Sequence, residues 1–371
     1  GSACRAAYNQ RMEMLNPKTH FLSEPSHISL HFDRITSSEA LGVDTEFVRE
    51  RTYFPIPGLL QFSDGVEVWL VDPLAMKEAP ELRALVAEVM HDTSTPKILH
   101  STGEDLEIID MTGGAQPSPL FDTQRAAALL GWPLQIRYEL LAKDIVGIEF
   151  PGGLARNDWR RRPLPEAWIK YAANDVIALP AMRQILTEKL ENAGRLEWLM
   201  EDCRRIVDRQ SEQRPPELRV KGAAGLSDDE LGRLARLARW REAQARQRDL
   251  PRGFVVSDAA LLALARLGTV RDEDFEPLSE GRHRIGKRDR AAIIDQLNDD
   301  PTDYARPAEL TLLTADQRSR IKAMQARVKQ IAQELDIEPT VIASKRDLTR
   351  LTLGIDCDWM NGWRSELLAD I

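Results

Sequence analysis

Four acidic residues and one tyrosine in the first half of the chain have the types and the spacing of a catalytic site. Asp44 and Glu46 lie two residues apart in an apolar segment, so on a strand both carboxylates face the same side. Asp105 follows in a second segment, His-Ser-Thr-Gly-Glu-Asp-Leu. Tyr171 and Asp175 lie four residues apart in a helix-favouring run and therefore share one helical face.

Such a set of carboxylates predicts a site for divalent metal ions. Clustered carboxylates repel one another and are costly to bury unless a cation neutralises them. Hard divalent ions bind oxygen ligands, and two such ions about 4 Å apart form the clamp that displaces an oxygen at phosphorus. The pattern therefore predicts metal-dependent phosphodiester chemistry, with Asp44 as the best candidate for the ligand that bridges two ions.

The segments that carry these residues also resemble a known enzyme family. Asp-Thr-Glu-Phe, His-Ser-x-x-Glu-Asp-Leu and Tyr-Ala-Ala-x-Asp-Val stand in the same order as the three exonuclease motifs of the DEDD family, tyrosine subtype. Three further segments are similar to ribonuclease D: Phe47-Val-Arg-Glu-Arg-Thr-Tyr-Phe-Pro55, Phe121-Asp-Thr-Gln124 and Asp158-Trp-Arg-Arg-Arg-Pro-Leu164. The resemblance extends from about residue 21 to the C-terminus.

This resemblance implies a 3′-to-5′ exoribonuclease that releases nucleoside 5′-monophosphates one at a time. It implies two divalent cations, Mg²⁺ or Mn²⁺, and it assigns metal ligation to Asp44, Glu46, Asp105 and Asp175. Tyr171 would orient the attacking water through its hydroxyl, because a phenol with an ordinary pKa near 10 is a poor base at neutral pH. The implied partner is RNA with a single-stranded 3′ end, such as a tRNA precursor.

The residues beside Asp105 need a separate interpretation. Ser101-Thr-Gly-Glu104 has the pattern of a capping box, which predicts a structural role for Glu104 at a helix start. The family motif assigns the metal-linked carboxylate to the Asp105 position instead. His100 is expected to position substrate or to pack at a strand end rather than to coordinate metal.

Weaker carry-overs from the family predict contacts with RNA. Phe47 could stack on the terminal bases, and Gln61 could contact the sugar. Trp159 and Arg162 combine aromatic and cationic groups that could hold RNA by stacking and charge.

Two further features of this region complete the comparison with the family. Asp122 matches a family motif and is equally explained as a helix N-cap beside Thr123. Family members carry a lysine and polar residues upstream of Asp158, whereas this chain has Phe150-Pro-Gly-Gly-Leu154. The departure predicts a mobile loop that alters substrate handling.

The length and composition of the chain bound its class. A chain of 371 residues suggests two or three domains, and no run approaches the ~18 apolar residues of a membrane span. No basic-then-apolar signal peptide opens the sequence, and Cys4, Cys203 and Cys357 have no pair spacing. We therefore expect a cytoplasmic protein without a disulfide framework and without a membrane partner.

The net charge of −9 at first opposes a nucleic-acid partner, but basic residues cluster locally. Residues 281–290 contain five Lys or Arg and one Asp, and residues 233–248 contain six arginines and one glutamate. Each cluster is equally consistent with a stripe that follows a phosphate backbone and with an ordinary solvated helix face.

Periodicity divides the first part of the chain into strands and helices. Residues 1–20 lack periodicity and are predicted to form a disordered extension. Strand patterns cover 40–48, 59–63, 66–71 and 97–99, and helical patterns cover 79–91, 101–111, 123–130 and 165–193. The order predicts a mixed sheet with helices on its faces. The resemblance implies the same, an α/β ribonuclease H-like exonuclease core, assigned to residues 21–200.

The rest of the chain is predicted to be all-α. Residues 201–226 are charged and turn-prone, which predicts a linker or the end of a connecting helix, and beyond them strand patterns end. Capping boxes open long helical patterns at Ser227 and Thr314, and Asp-Leu-Pro and Asp-Ile-Glu-Pro segments recur at an offset of 87–88 residues. Both copies resemble the HRDC domain, present twice in ribonuclease D: residues 227–302 and, more diverged, residues 308–371, where Trp-Arg-Ser-Glu-Leu resembles the closing motif of the family.

Trimming of tRNA-precursor 3′ ends is the leading functional interpretation, and two others stay open. A DNA 3′-to-5′ exonuclease would use the same catalytic set, and only recognition of the ribose 2′-hydroxyl would distinguish the two activities. A non-catalytic RNA-binding scaffold would use the helical repeats, and it would bind RNA without metal and without turnover.

Overall fold

An α/β domain is followed by two all-α units. The computed structural model describes residues 14–151, 157–209, 214–278, 284–298 and 304–369. The strands are β1 (Lys18–Leu22), β2 (Leu41–Val48), β3 (Ile56–Ser63), β4 (Glu67–Val71), β5 (Lys97–Leu99) and β6 (Leu120–Asp122). The helices of the α/β domain and its C-terminal extension are α1 (Pro25–Thr36), α2 (Pro80–His91), α3 (Asp105–Gly113), α4 (Thr123–Ala128), α5 (Tyr138–Ile145), α6 (Glu166–Ile177), α7 (Leu179–Asn192) and α8 (Leu196–Asp208).

The first helical unit follows with α9 (Asp228–Arg248), α10 (Arg252–Val255), α11 (Asp258–Arg266) and α12 (Lys287–Asn298). The second contains α13 (Ala315–Leu335), α14 (Pro339–Ile342), α15 (Lys345–Thr352) and α16 (Trp363–Leu367). Short 3₁₀ turns connect these elements at Pro73–Ala75, Pro216–Arg219, Ala223–Gly225, Asp272–Phe275, Ala308–Leu310 and Asp358–Asn361.

The described strands form one mixed sheet in the order β1-β4-β3-β2-β5-β6. β2, β3 and β4 pair antiparallel, whereas β1, β5 and β6 each join a neighbour in parallel. The predicted mixed sheet with helices is therefore confirmed. The sequence patterns missed β1 and β6.

The predicted disordered extension is wrong for residues 14–20. Met14 is buried, with 4% of its surface exposed, and β1 pairs with β4 in register from Lys18 to Leu22. The neighbouring strand provides backbone hydrogen-bond partners, which the periodicity of a segment cannot indicate. Residues 1–13 lie outside the described part of the chain.

The last helix predicted for the α/β domain is in fact two helices, α6 and α7. Pro180 stands in the first turn of α7, where it lacks an N–H donor and where its ring would clash with the Val176 carbonyl of a continuous helix. Tyr138 stabilises the junction, because its hydroxyl donates to the Asn174 carbonyl at 2.7 Å and accepts from the Ala178 amide at 3.3 Å. Because of this break, α6 and α7 are separate helices whose axes need not coincide.

The two helical units repeat one local design. A capping box at Ser227 begins α9 and another at Thr314 begins α13, which confirms both predicted helix starts. Each long helix ends at an aspartate in the left-handed region, Asp249 at φ 49° and Asp336 at φ 53°. The repeat is therefore present in backbone conformation as well as in sequence.

Both left-handed turns dock against the α/β domain. The Asp249 carboxylate accepts hydrogen bonds from the backbone amides of Tyr53 and Phe54, at 2.9 and 3.0 Å. The turn at Asp336 packs against Gly131, where a Cβ would lie only 2.7 Å from the Asp336 carbonyl oxygen. The two units therefore attach to separate places on the α/β domain through equivalent residues.

The segment predicted as a linker or the end of a connecting helix starts with the last residues of α8. α8 extends into it, and Asp202 of this helix is only 3% exposed. Arg364 of α16 donates to both oxygens of the Asp202 carboxylate, at 2.6 and 3.0 Å. Trp363 stacks on Trp198 with ring centroids 4.4 Å apart. The C-terminal motif Trp-Arg-Ser-Glu-Leu thus anchors the second helical unit to the extension of the α/β domain.

The sequence also leads us to expect no membrane span and no disulfide framework. Among the described residues, no helix combines the length and the apolar character that crossing a membrane requires. Cys203 and Cys357 are free thiols and are both buried. The cytoplasmic location stays a prediction.

The buried pair between Asp202 and Arg364 leads to a prediction about stability. Arg364→Ala removes the bidentate partner of a buried carboxylate and leaves only the longer contacts with Arg205 at 3.4 Å and Arg125 at 3.8 Å, so we expect the free energy of unfolding to fall by about 3 kcal/mol. Lys143→Ala breaks an ion pair whose side chains are 55% and 78% exposed, and this control should cost less than about 1 kcal/mol. Urea unfolding followed by tryptophan fluorescence measures both losses. Equal losses would contradict a buried structural role for Arg364.

Candidate active site

Three carboxylates from two distant elements form an acidic cluster. Asp44 and Glu46 project from β2 and Asp175 projects from α6, and their ligand oxygens lie within 4.8 Å of one another. Glu46 is 8% exposed, whereas Asp44 and Asp175 are half-buried. Residues that are distant in the sequence of the α/β domain thus place their carboxylate oxygens within reach of one ion.

Gly42 explains why α6 approaches β2 so closely. A Cβ at this position would lie 2.7 Å from the Val176 carbonyl oxygen and 3.0 Å from the Leu179 Cβ. Because Gly42 has no side chain, the junction between α6 and α7 lies directly on the strand that carries Asp44. Asp175 comes immediately before this junction, so the contact carries its carboxylate to the strand.

Asp105 lies beside this cluster, at the first residue of α3. Its Oδ1 accepts a hydrogen bond of 2.5 Å from the hydroxyl of Thr45, which stands between Asp44 and Glu46 on β2. Its charge still raises the pKa of Asp44 and of Glu46. Thr45 was not predicted as a site residue, although its place between two candidate ligands was a signal.

The capping box predicted at Ser101 is wrong. Ser101 adopts φ 66°, outside the extended region that an N-cap residue occupies, and no side chain caps α3. Glu104 instead pairs with Arg49 at 3.0 Å, and Arg49 also pairs with Glu107 at 3.0 Å. Arg49 therefore joins the segment that follows β2 to the helix that begins at Asp105.

Burial raises the pKa of each of these carboxyl groups, and repulsion by the neighbouring carboxylates adds to the shift at Asp44 and Glu46. Burial, followed by the charges of Asp175 and Asp105, raises the pKa of Glu46 to about 9. Burial raises the pKa of Asp175 to about 8, although a hydrogen bond from Tyr171 opposes this shift. Burial raises the pKa of Asp105 to about 6. The pKa of Asp44 is also raised well above its ordinary value, first by burial and then by its acidic neighbours.

The donor set fits hard divalent cations. Its members are carboxylate oxygens, which are the ligands that Mg²⁺ and Mn²⁺ prefer. Within the described residues, no lysine or arginine forms an ion pair with Asp44, Glu46 or Asp175 to offset their repulsion. The arrangement therefore has the ligand chemistry of a cation site and lacks a protein cation that could take its place.

Trp159 is not available for stacking on RNA, which corrects the prediction. Its side chain is fully buried, and it packs so closely on Gly58 that a Cβ there would lie 2.5 Å from the Trp159 Cβ. The ring centroids of Trp168 and Tyr171 lie 5.3 and 6.2 Å from that of Trp159. Trp159 therefore packs near the ring of Tyr171 and has no exposed ring face on which an RNA base could stack.

Arg162 also has a structural position, which contradicts its predicted contact with RNA. Its guanidinium donates to both carboxylate oxygens of Asp72, at 2.8 and 2.5 Å, and to the Gly58 carbonyl at 2.8 Å. These partners neutralise the charge and occupy the donors that a phosphate would need. Asp72 is 90 residues away in sequence, so the local motif could not indicate this pair.

His100 packs at the end of β5, which is one of the two roles expected for it from the sequence. One ring nitrogen contacts the Thr123 hydroxyl at 2.8 Å and the other contacts the Ile136 carbonyl at 2.9 Å. No ring nitrogen is left for a substrate, so the predicted substrate contact is corrected. Asp122 caps α4, because its carboxylate accepts from two amides of the first turn at 2.9 and 3.0 Å.

Phe47 and Gln61 stay predictions as RNA contacts. Phe47 is half-buried, at a register shift in the pairing of β2 with β3. Gln61 is fully buried and stands opposite Asp44 in this ladder, so the two side chains share a face of the sheet. Neither amide atom of Gln61 has a hydrogen-bond partner within the described residues. An unpaired buried amide costs about 1–3 kcal/mol, so a buried water is the expected partner of this amide while Gln61 is enclosed.

The arginine-rich cluster of α9 is largely engaged in internal contacts. Arg241 pairs with Asp258 at 2.7 Å, and Arg248 pairs with Asp289. These contacts favour a structural interpretation of the cluster over a stripe that follows a phosphate backbone. Part of the second basic cluster and the glycine-containing loop at 152–156 lie outside the described residues.

Two family models match the chain. Residues 23–191 match a model described as 3′-5′ exonuclease, and residues 230–284 match the HRDC domain. The first match spans the strands β2 to β6 and the helices that carry the acidic cluster. The fold and its buried carboxylates therefore define the class of this protein as the 3′-to-5′ exonucleases.

Full-length relatives identify the family within this class. Ribonuclease D from Xanthomonas oryzae pv. oryzae is 35% identical over 340 residues, which cover 90% of this chain and 91% of the relative. Ribonuclease D from Escherichia coli (strain K12) is 31% identical over 355 residues, which cover 91% and 93%. The crystal structure of Escherichia coli RNase D, described as an exoribonuclease involved in structured RNA processing, matches with a TM-score of 0.84 at 28% identity, over 95% of this chain and 97% of that chain. The chain belongs to the ribonuclease D family and is a 3′-to-5′ exoribonuclease.

The raised pKa values lead to a prediction about metal and pH. A carboxyl group in the unfolded chain has a pKa near 4, and folding raises the pKa of Glu46 to about 9. Without metal, the folded protein should therefore lose stability as the pH rises through this interval. Cations that need ionised ligands should restore this stability, so Mn²⁺ should raise the melting temperature more at about pH 9 than at about pH 6.

Differential scanning fluorimetry in EDTA and in Mn²⁺ measures this dependence. The Asp44→Asn, Asp175→Asn double variant is the control, because it lacks two of the repelling charges and should show a smaller effect of both pH and metal. Equal stabilisation of the unmodified chain by Mn²⁺ at both pH values would contradict the assignment of these groups as metal ligands.

Proposed function

We propose that Asp44, Glu46, Asp105 and Asp175 hold two divalent cations, Mg²⁺ or Mn²⁺, and that the chain is a tyrosine-subtype DEDD nuclease. The observation that carries this proposal is the meeting of three carboxylates within 4.8 Å, with no cationic side chain of the described residues paired to them. Bound there, the cations would activate the attacking water and stabilise the leaving 3′-oxygen. The protein's contribution is to hold its carboxylates close together, and the bound cations would favour the ionised form of these carboxylates.

Three different structural features hold the four carboxylates in place. Asp44 and Glu46 share the rigid face of β2, so their separation is set by the strand repeat. Thr45 fixes the carboxylate of Asp105 through its hydroxyl. Asp175 depends on the seat of α6 against Gly42. Positioning on regular elements gives the precision that an in-line displacement at phosphorus requires.

Tyr171 acts in this proposal by geometry rather than as a base. It lies close enough to Asp175 for a hydrogen bond to lower the pKa of that carboxyl group. Burial, followed by the charge of Asp175, raises the pKa of the tyrosine above its ordinary value, so the hydroxyl keeps its proton at neutral pH. A hydroxyl that donates its proton to Asp175 can accept a hydrogen bond from the attacking water through its oxygen and so orient the attack.

The second helical unit is proposed to be a diverged HRDC domain. It shares with the matched first unit the capped long helix, the left-handed aspartate and the short helix that follows. α11 and α15 also begin alike, at the serine N-caps Ser257 and Ser344. Duplication of one design explains these shared features more simply than independent origin.

The proposed substrate is RNA with a single-stranded 3′ end, and tRNA precursors are the proposed physiological source. The Escherichia coli relative is described as acting in structured RNA processing, and this chain aligns with nearly all of it. An exonuclease whose cluster lies in a partly buried site needs an end that can leave its helix and reach the carboxylates. This favours single-stranded ends over paired ones.

Removal of single carboxylates is expected to abolish cleavage. Asp44→Asn and Asp175→Asn should each lower the turnover rate at least about 1,000-fold, equivalent to about 4 kcal/mol, because each removes a ligand charge. Asp110→Asn removes an exposed carboxylate from the same helix as Asp105 and is the matched control. The measurement is a time course on a 5′-labelled RNA with a free 3′ overhang, in Mg²⁺, Mn²⁺ or EDTA.

Companion substrates separate the competing functions in the same experiment. Digestion of the matched DNA strand at the same rate would indicate a general 3′-to-5′ exonuclease. Binding of RNA without a ladder of shortened products would indicate a scaffold. Full activity of both Asp44→Asn and Asp175→Asn would contradict the two-cation assignment.

The geometric role of Tyr171 leads to its own prediction. Tyr171→Phe keeps the ring that packs near Trp159 and removes only the hydroxyl, so the turnover rate should fall by about 10- to 100-fold with little change in KM. The pH–rate profile should keep its shape, because a tyrosine that stays protonated contributes no titration. If the rate of the unmodified enzyme rises with pH and this rise is lost in Tyr171→Phe, the phenol acts as a base instead.

A further inference from the structure

A second group of metal-binding side chains lies at the outer edge of the sheet. His20 on β1, His31 on α1 and Glu67 on β4 offer ligand atoms within 4.8 Å of one another. His20 Nε2 lies 2.8 Å from Glu67 Oε2, and the ring centroids of His20 and His31 are 4.0 Å apart. None of the proposed catalytic residues stands on these elements.

The distances require only small movements to surround an ion. Metal–ligand bonds of about 2.1 Å in a tetrahedral arrangement place neighbouring ligand atoms roughly 3.3 Å apart. The contact between His20 and Glu67 is shorter than this value at 2.8 Å, and all ligand atoms of the group lie within 4.8 Å of one another. Among the described residues, no hydrogen bond engages the ring of His31, which is therefore available as a ligand.

Glu67 is oriented by contacts to its other oxygen. Arg34 Nη1 lies 3.3 Å from Glu67 Oε1, and Lys18 Nζ lies 3.7 Å from the same atom. Lys18 is 69% exposed, so its ammonium can turn into solvent, whereas Arg34 also pairs with Asp64 at 2.9 Å. Anchoring of Oε1 by Arg34 leaves Oε2 directed at the histidines, as outer contacts commonly orient a ligating carboxylate.

The protonation states of the group suit metal binding at neutral pH. Burial, followed by the nearby His20 ring, lowers the pKa of His31, which keeps its imidazole neutral. Against the opposing effect of burial, a hydrogen bond from His20 and the charge of Arg34 lower the pKa of Glu67, which stays ionised. Neutral imidazole and ionised carboxylate are the forms that ligate metals.

We propose that His20, His31 and Glu67 bind one transition-metal ion of the Zn²⁺ class, separate from the catalytic cations. Two imidazoles and a carboxylate favour such an ion over Mg²⁺, which prefers an all-oxygen shell. A water completes a tetrahedral set of four ligands.

The site would fasten the edge of the sheet. β1 is an edge strand, and among the strands of the described residues it pairs with β4 alone. An ion held by one ligand from each of β1, α1 and β4 links this edge strand to its neighbour and to the helix that covers them. Its binding free energy would add directly to the stability of the folded chain.

Zinc titration of the full-length chain tests the proposal. The background is the Asp44→Asn, Asp175→Asn double variant, so that zinc at the catalytic cluster does not contribute. Isothermal titration calorimetry at neutral pH should detect one zinc site there, and adding His31→Ala should weaken it at least about tenfold. His91→Ala is the matched control, because this histidine contacts only the Ala87 carbonyl of its own helix in the described structure and should leave zinc affinity unchanged.

Glu67→Gln provides a second variant that preserves side-chain shape, and circular dichroism verifies the fold of each protein. Zinc should raise the melting temperature of the His91→Ala protein and leave that of His31→Ala unchanged. In the chain with intact catalytic carboxylates, His31→Ala should cleave RNA in Mg²⁺ at the unmodified rate. Absence of zinc binding in the background protein, or unchanged affinity in both His31→Ala and Glu67→Gln, would overturn the proposal.

Discussion

Repulsion among partly buried carboxylates is the constraint on which the rest of the catalytic domain depends. Folding brings together acidic groups from β2, α3 and α6, and their pKa values rise because neither solvent nor a protein cation compensates their charge. The apolar core must offset this cost, because mutual repulsion would otherwise push the elements apart. The close packing of the end of α6 against Gly42 opposes such a separation.

The helical units also stabilise the region around the acidic cluster. The segment after β2 leads to Tyr53, whose ring lies 5.3 and 4.8 Å from the guanidinium groups of Arg246 and Arg252 in the first unit. The second unit is fastened through the buried pair of Asp202 and Arg364. The α/β domain is thus held from two places, in each case near a left-handed turn that ends a long helix.

Several side chains that resemble RNA contacts in sequence serve the fold instead. Trp159 has the aromatic ring and Arg162 has the charge that nucleic acids attract, yet one is fully buried and the other is bound to Asp72. An aromatic or cationic residue beside a catalytic motif is as useful for supporting the site as for contacting its ligand. Only the identity of its neighbours distinguishes the two uses, and these neighbours are distant in sequence.

The sequence alone determined the features that depend on short spacing. The pairing of Asp44 with Glu46 on a strand face, the helical pairing of Tyr171 with Asp175, the two capping boxes that open the long helices of the helical units and the helical repeat all follow from local sequence spacing. Tertiary structure alone decided how these pieces meet: the edge strand β1, the break before α7 and the hydrogen bond from Thr45 to Asp105. The physical reason is that local backbone geometry fixes which side chains share a face, whereas packing between distant segments fixes which faces come into contact.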